Sequence, residues 1–255
     1  MRVVCLALGA LFLTGAANAA SAAGSACATQ VPVAAGERIA ACTDLIRSSQ
    51  SLYDAYVWRA SAYADSGNRA AAIADLTAAI ALSPDAPAAY SARGALYLKD
   101  EEYRDGLVDL DRALELAPDD ETVLRVRAFA WDELGNYPAA VADYGRLIAL
   151  TADPTYRYFR GFAYFHAGND AAALSDFAAI LSADSPTLSA WGYRGRGSVR
   201  EREGDLAGAL GDYTMALAAD PSDDRSFAAR CRVEAALGDA GGDGCVPVLK
   251  QTAGR

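Results

Sequence analysis

An all-α solenoid, a stack of helix pairs, is the fold class this sequence predicts, and three observations predict it. An arginine returns six times at nearly constant spacing, at Arg59, Arg93, Arg127, Arg160, Arg196 and Arg230, in steps of 34, 34, 33, 36 and 34 residues. An aspartate follows the first five of these 16 residues later, at Asp75, Asp109, Asp143, Asp176 and Asp212. A glycine (Gly67, Gly135, Gly168, Gly204, Gly238) follows eight residues after all but one of them. A period near 34 is too long for the pattern of one helix and too short for a domain. It marks units that bury their apolar faces only against neighbouring units.

Taken in order, the chain opens on Met1-Arg2, an apolar run from Val3 to Ala17, and Ala17-Asn18-Ala19. That pattern predicts a signal peptide over 1–19 with a mature start near Ala20. The run is too short to span a bilayer comfortably, and no later stretch is long and apolar enough to do so. Residues 20–52 read as an N-terminal cap. Within it, Ile39 to Leu45 has the pattern of a second helix that lacks its first.

Five units then cover 53–86, 87–120, 121–153, 154–189 and 190–223. Three residues before each arginine stands Tyr56, Tyr90, Leu124, Arg157 or Tyr193; one residue after, Ala60, Gly94, Ala128, Gly161 or Gly197; four after, Tyr63, Tyr97, Trp131, Tyr164 or Arg200. These offsets lie on one helix face. The glycine at plus eight sits where that helix stops and turns; the second unit has Glu101 there. A second stripe follows, with Ala72, Gly106, Ala140, Ala173 and Ala209, then Leu76, Leu110, Tyr144, Phe177 and Tyr213. Each unit closes near a proline: Pro84, Pro118, Pro154, Pro186 or Pro221. Proline there ends the second helix. Glycine inside a helix costs about 1 kcal/mol relative to alanine, so recurrent Gly or Ala at one position on each helix predicts that the two backbones cross there. Residues 224–255 make a final first helix, to about 237, and a glycine-rich tail.

This unit resembles the tetratricopeptide repeat, whose pattern runs bulky residue, Leu-Gly, Tyr, Ala, aromatic, Ala and Pro. The plainest case here is Tyr90-Ser-Ala-Arg-Gly94, Tyr97, Gly106, Leu110, Ala113, Pro118. The main departure is arginine where many members have leucine. The resemblance implies a right-handed superhelix whose first helices line a concave groove. It places Arg125, Phe129, Tyr158, Phe162, Phe165, His166, Trp191 and Arg194 on the inner face as partner-binding residues. The first two units offer Val57, Ser61, Ser91 and Ala95 there, so the family's clamp for chaperone tails is not expected.

An arginine on the packed face needs a partner, because a buried unpaired charge is costly. The aspartate 16 residues on lies on the second helix, so each pair is expected to tie helix to helix as a bidentate rung. The sixth rung would fall at Val246, which leaves Arg230 to find another acceptor, with Asp212 the nearest choice.

Four cysteines remain after the leader: Cys27, Cys42, Cys231 and Cys245. An even count in an exported chain suggests disulfides. A disulfide needs Cα atoms within about 7 Å, and the ends of an extended stack lie far apart. The expected pairs are therefore Cys27–Cys42 and Cys231–Cys245, one at each end.

The net charge is −10, with only two lysines, Lys99 and Lys250. That balance argues against nucleic acid and anionic membrane as partners, since both require a basic footprint. No metal site or cofactor is expected: CxxC spacing is absent and His166 is the one histidine. Catalysis is not expected either, for want of a nucleophile with a base and an orienting group. The reading is a binding scaffold for a protein or peptide, exported, most plausibly to a bacterial periplasm. A small-molecule or glycan binder using the same aromatic residues is the alternative, and a structural oligomer a third.

Overall fold

The computed structural model describes residues 26–28, 34–99, 102–183, 185–238 and 245. The expected leader, Glu101 and most of the tail lie outside the described residues. Among those residues there are twelve longer helices and no strand: α1 (Ala35–Arg47), α2 (Leu52–Asp65), α3 (Arg69–Leu82), α4 (Pro87–Lys99), α5 (Tyr103–Leu116), α6 (Glu121–Glu133), α7 (Tyr137–Thr151), α8 (Thr155–His166), α9 (Asp170–Leu181), α10 (Pro186–Glu203), α11 (Leu206–Ala219) and α12 (Asp224–Ala236). α2, α4, α6, α8 and α10 are first helices of the sequence repeat, and α3, α5, α7, α9 and α11 are second helices. α1 is the half unit, and α12 is the sixth first helix.

The chain forms two compact units, Met1–Ala130 and Trp131–Arg255, with the division inside α6. In the first, α1 packs on α2, α2 on α3, α3 on α4 and α4 on α5. In the second, consecutive helices from α7 to α12 pack on one another, and α8 also meets α10.

Small residues decide how closely the paired helices approach. A methyl group on Gly94 would lie 2.9 Å from the carbonyl oxygen of Gly106, so α4 and α5 cross backbone to backbone. Farther along, the second helix fills the gap with a large residue. A methyl on Gly161 would lie 2.7 Å from the Phe177 ring, and one on Gly197 would lie 2.9 Å from Tyr213. Phe177 and Tyr213 are fully buried. In the first unit the corresponding core is mostly alanine around Leu76 and Leu96.

The turn within a pair has a local cause. Gly67 has φ +80° and Gly204 has φ +85°, a conformation that disfavours any residue with a Cβ. The next residue caps the second helix: the Asn68 side chain accepts from the Ala71 N–H, and Asp205 from the Gly208 N–H. Two disulfides join Cys27 to Cys42 and Cys231 to Cys245, with Cα–Cα distances of 4.9 and 5.3 Å.

Candidate functional site: the first-helix face

Four of the arginine–aspartate pairs lie within a single unit, and all four are bidentate. Arg59 donates through Nε and Nη2 to the two oxygens of Asp75, both at 2.8 Å. Arg93 holds Asp109 at 2.7 and 2.8 Å, Arg160 holds Asp176 at 2.8 and 2.7 Å, and Arg196 holds Asp212 at 3.0 and 2.7 Å. The aspartates are buried. In all four arginines the hydrogen bond to aspartate is the main influence, and despite burial it raises the guanidinium pKa above its ordinary value. Arg127 lies in the first unit and Asp143, also buried, in the second.

The rungs carry a link that the spacing argument missed. Arg59 Nη1 donates backward to Thr43 Oγ1 at 3.1 Å, Arg93 Nη1 to Thr77 Oγ1 at 2.9 Å, and Arg127 Nη1 to Asp111 Oδ1 at 2.7 Å. Each acceptor is 16 residues before its arginine, on the preceding second helix. One guanidinium thus ties its own repeat to the one before it. Thr43, Thr77 and Asp111 recur at a step of 34, and that recurrence was the available signal.

The two departures from the repeat pattern also have a place. Arg157 Nη1 lies 3.5 Å from Asp176, and Arg200 Nη1 donates to Asp212 at 2.9 Å, so each of these carboxylates faces two guanidiniums. This corrects the expectation for Arg230. Asp212 already holds Arg196 and Arg200, and Arg230 instead pairs with Glu234 one turn along α12, Nε to Oε1 at 3.3 Å.

The residues expected on the inner face range from buried to exposed. Arg125 and Phe129 are half-buried on α6, in the first unit. In the second unit, Tyr158 and Arg194 are interior rather than presented to a partner. The Tyr158 ring lies 4.9 Å from both Phe162 and Trp191 and is 8% exposed. Arg194 donates to the Tyr158 hydroxyl and to Asp223, both at 2.6 Å. Asp223 also caps α12, accepting from the Arg225 and Ser226 N–H groups. Burial opposes its charge, but Ser226 and Arg194 together hold the carboxyl below its usual range. These two residues therefore join α8, α10 and the start of α12. Trp191 packs against the same cluster.

Phe162 and Phe165 are half-buried against that cluster, as Trp191 is, and His166 follows them on α8. His166 is exposed and stacks on Tyr137 at 5.4 Å. Burial of its ring and the nearby Arg202 charge hold its pKa below the ordinary value. Beside these residues lies an open depression of about 440 Å³, lined by Phe165 of α8, Ser198, Glu201 and Arg202 of α10, and Arg232 of α12. All of these come from first helices. The Arg202 guanidinium lies 3.7 Å over the Phe165 ring, donates to the Phe165 carbonyl at 2.6 Å, and pairs with Asp170. Arg232 holds Glu201 with two hydrogen bonds of 2.7 and 2.8 Å, and the Tyr213 hydroxyl donates to the same carboxylate at 2.8 Å. The Arg232 hydrogen bonds, overcoming burial, keep Glu201 ionised below its usual range. Neither Arg202 nor Arg232 was singled out for the groove from sequence.

A second carboxylate on this face is in a different state. Asp132, near the end of α6, accepts from the Tyr144 hydroxyl at 3.1 Å through Oδ2. Its Oδ1 is buried with no hydrogen-bond partner among the described residues. Burial pushes the carboxyl up to about 6, against the Tyr144 hydrogen bond, and Glu133 adds to the rise. Elsewhere Cys231, Glu234 and Cys245 bring ligand-type atoms together, but the two sulfurs are joined to each other.

A family model described as TPR repeat matches residues 60–100, and one described as tetratricopeptide repeat matches residues 132–187. No curated protein matches the chain. Among solved structures the chain resembles YrrB, described as a TPR protein with an unusual peptide-binding site, at 21% identity over 73% of this chain and 95% of that one, with a TM-score of 0.63. It also resembles MamA, at 17% identity over 65% and 96%, with a TM-score of 0.59, and a double mutant of MamA from RS-1, at 16% identity over 68% and 97%, with a TM-score of 0.61. At these identities the likeness establishes the fold, the all-α helix-turn-helix repeat solenoid.

Proposed function

This chain is a tetratricopeptide repeat protein, and on that premise we propose that it is a non-enzymatic scaffold that binds a protein or peptide segment on the first-helix face of its second unit. One observation carries the reading. The 440 Å³ depression is lined solely by first helices of successive repeats, and it sets an aromatic wall, Phe165, beside two arginines, Arg202 and Arg232. Aromatic and arginine side chains are the usual anchors of a protein interface. Helices already stacked lose little ordering entropy on binding. The described peptide-binding site of YrrB supports the same mode of use. Phe162, Phe165 and His166 are the contact residues of this reading, with Arg202, Arg232 and Ser198 around the depression. Trp191 remains a secondary candidate on this face, and Arg125 and Phe129 are candidates on the first unit by itself.

The scaffold works in an exported compartment, a bacterial periplasm. The leader expected over 1–19 and two disulfides support this, because disulfides persist where the surroundings are oxidising. No described helix is long and apolar enough to cross a membrane.

The test is photocrosslinking in the native cells, with a benzophenone side chain at Phe162 and, as control, at Arg112 on the second helix α5. A discrete adduct at Phe162 alone, identified by mass spectrometry, is expected. Equal labelling at both sites, or none at Phe162, overturns the reading.

A further inference from the structure

The repeat allows equivalent positions on the first-helix face to be compared within the second unit. Five residues after the ladder arginine stand Asp132, Phe165 and Glu201 in successive repeats. Two residues after it, one repeat farther on, stand Phe162, Ser198 and Arg232. On the second helices the matching residues are Tyr144, Phe177 and Tyr213. Asp132–Tyr144 and Glu201–Tyr213 are therefore one arrangement made twice. In each, an acid accepts a hydrogen bond from the tyrosine 12 residues later, at 3.1 and 2.8 Å.

The two differ in the third member. Arg232 closes the Glu201 site with a bidentate fork, so that both carboxylate oxygens are occupied. The residue equivalent to Arg232 in the earlier repeat is Phe162, which has no donor. Asp132 is left with one tyrosine on Oδ2 and a buried Oδ1 without a partner among the described residues. A buried carboxylate oxygen without a donor is costly, the more so when it is charged. The raised carboxyl, near 6, reflects the same shortage of compensation. Glu133 adds negative charge beside it, and the chain as a whole carries −10, so a cation is drawn toward this end of the face.

We propose that Asp132 is the subsite for one basic side chain of the bound segment, whose guanidinium or ammonium supplies the donors that Arg232 supplies to Glu201. The proposal rests on the scaffold reading above and specifies its partner. The segment carries a lysine or arginine for Asp132 and an apolar residue beside it for Phe162 and Phe165. By repeat equivalence Phe162 takes the place beside Asp132 that Arg232 takes beside Glu201, and an aromatic ring there adds to the attraction for a basic side chain.

The experiment uses the mature, disulfide-intact chain as bait for a phage-displayed library of random dodecapeptides. A selected peptide is then synthesised with its basic residue present or replaced by glutamine, and Kd is measured by fluorescence anisotropy. Against the wild-type chain the replacement is expected to weaken binding about tenfold or more, the scale of one charge-assisted hydrogen-bonded pair. Against Asp132→Asn it is expected to change Kd less than twofold. Phe162→Arg, which provides the arginine that the next site has, is expected to abolish the basic preference in the same way and guards against misfolding of the first variant. An equal loss on wild type and both variants overturns the subsite. Phe165→Ala separates the two readings. If it weakens binding while no coupling to Asp132 is found, the scaffold stands and the subsite falls. A library that yields no binder, or binders indifferent to Phe165→Ala, overturns both.

Discussion

Asp176→Ala removes the carboxylate of a buried rung that carries a second arginine. The aspartate side chain is 4% exposed, and it is held by Arg160 through two hydrogen bonds of 2.8 and 2.7 Å and approached by Arg157 at 3.5 Å. Removing one partner of a buried ion pair costs about 3–5 kcal/mol, chiefly because the other charge is stranded. Here the stranded groups can partly reach water, since the Arg160 side chain is 21% exposed and Arg157 38%. The expected loss is therefore reduced to about 2–4 kcal/mol. Asp176→Asn keeps one acceptor oxygen and should lose about 1–2 kcal/mol. Arg160→Met together with Asp176→Ala should be less damaging than the sum of the single changes, because the stranded guanidinium is gone. The assay is equilibrium urea unfolding of the oxidised mature chain followed by circular dichroism, with the slope compared between variants. A change under about 0.5 kcal/mol for Asp176→Ala, at unchanged slope, refutes the reasoning, because surface substitutions away from such features fall within that range. Strict additivity of the double variant refutes it as well.

Three further outcomes follow from other contacts. Gly94→Ala should destabilise by about 1–2 kcal/mol in the same assay, since its methyl meets the backbone oxygen of Gly106, whereas Gly211→Ala, with nothing within 4 Å, should gain up to about 1 kcal/mol from helix propensity. Asp132 is raised above the ordinary carboxyl value of 3.8 to about 6, so the folded state binds its proton more tightly; the resulting stability is complete below the unfolded value and is lost as pH rises through about 6. Partial exposure limits that term to about 1–2 kcal/mol, and the Asp132→Asn chain measured from pH 4 to 7 should lack it. Reduction of the disulfides, which close loops with sequence separations of 15 and 14, should lower stability by about 3 kcal/mol per bridge in the chain-entropy account, read as a fall in melting temperature with dithiothreitol.

The fold was legible because its determinants repeat. Small residues at Gly94, Gly106, Gly161 and Gly197 mark helix crossings whose distances leave no room for a methyl group, and five recurrences separate that signal from chance. The turn glycines were legible for the same reason. The backward hydrogen bonds were harder to read, because threonine on a helix has many uses and only Thr43 and Thr77 share the place before Asp111 takes it. On the candidate site, spacing placed residues on the correct helices but did not show what stands opposite them. Tyr158 and Arg194 meet each other and Asp223 from three helices, a juxtaposition no single period encodes. Asp132 is conspicuous only when Arg232 is known to complete the equivalent Glu201 site, and that requires the contact between successive first helices.

The backward hydrogen bond also bears on how such a chain can change length. In the first unit, Asp75 and Asp109 repeat at a step of 34, and so do Thr43, Thr77 and Asp111. Arg59 and Arg93 therefore meet the same two kinds of acceptor, an aspartate 16 residues on and a threonine 16 residues back. A duplicated or deleted block of 34 residues within that stretch would bring like ends to like ends, and Arg59 and Arg93 would still find both kinds of acceptor. The ladder is thus a splice rule. It lets repeat number vary by recombination in that stretch without new side-chain chemistry, whereas the steps of 33 and 36 farther on keep the forward aspartate but set Tyr144 and Ile180 at the backward position.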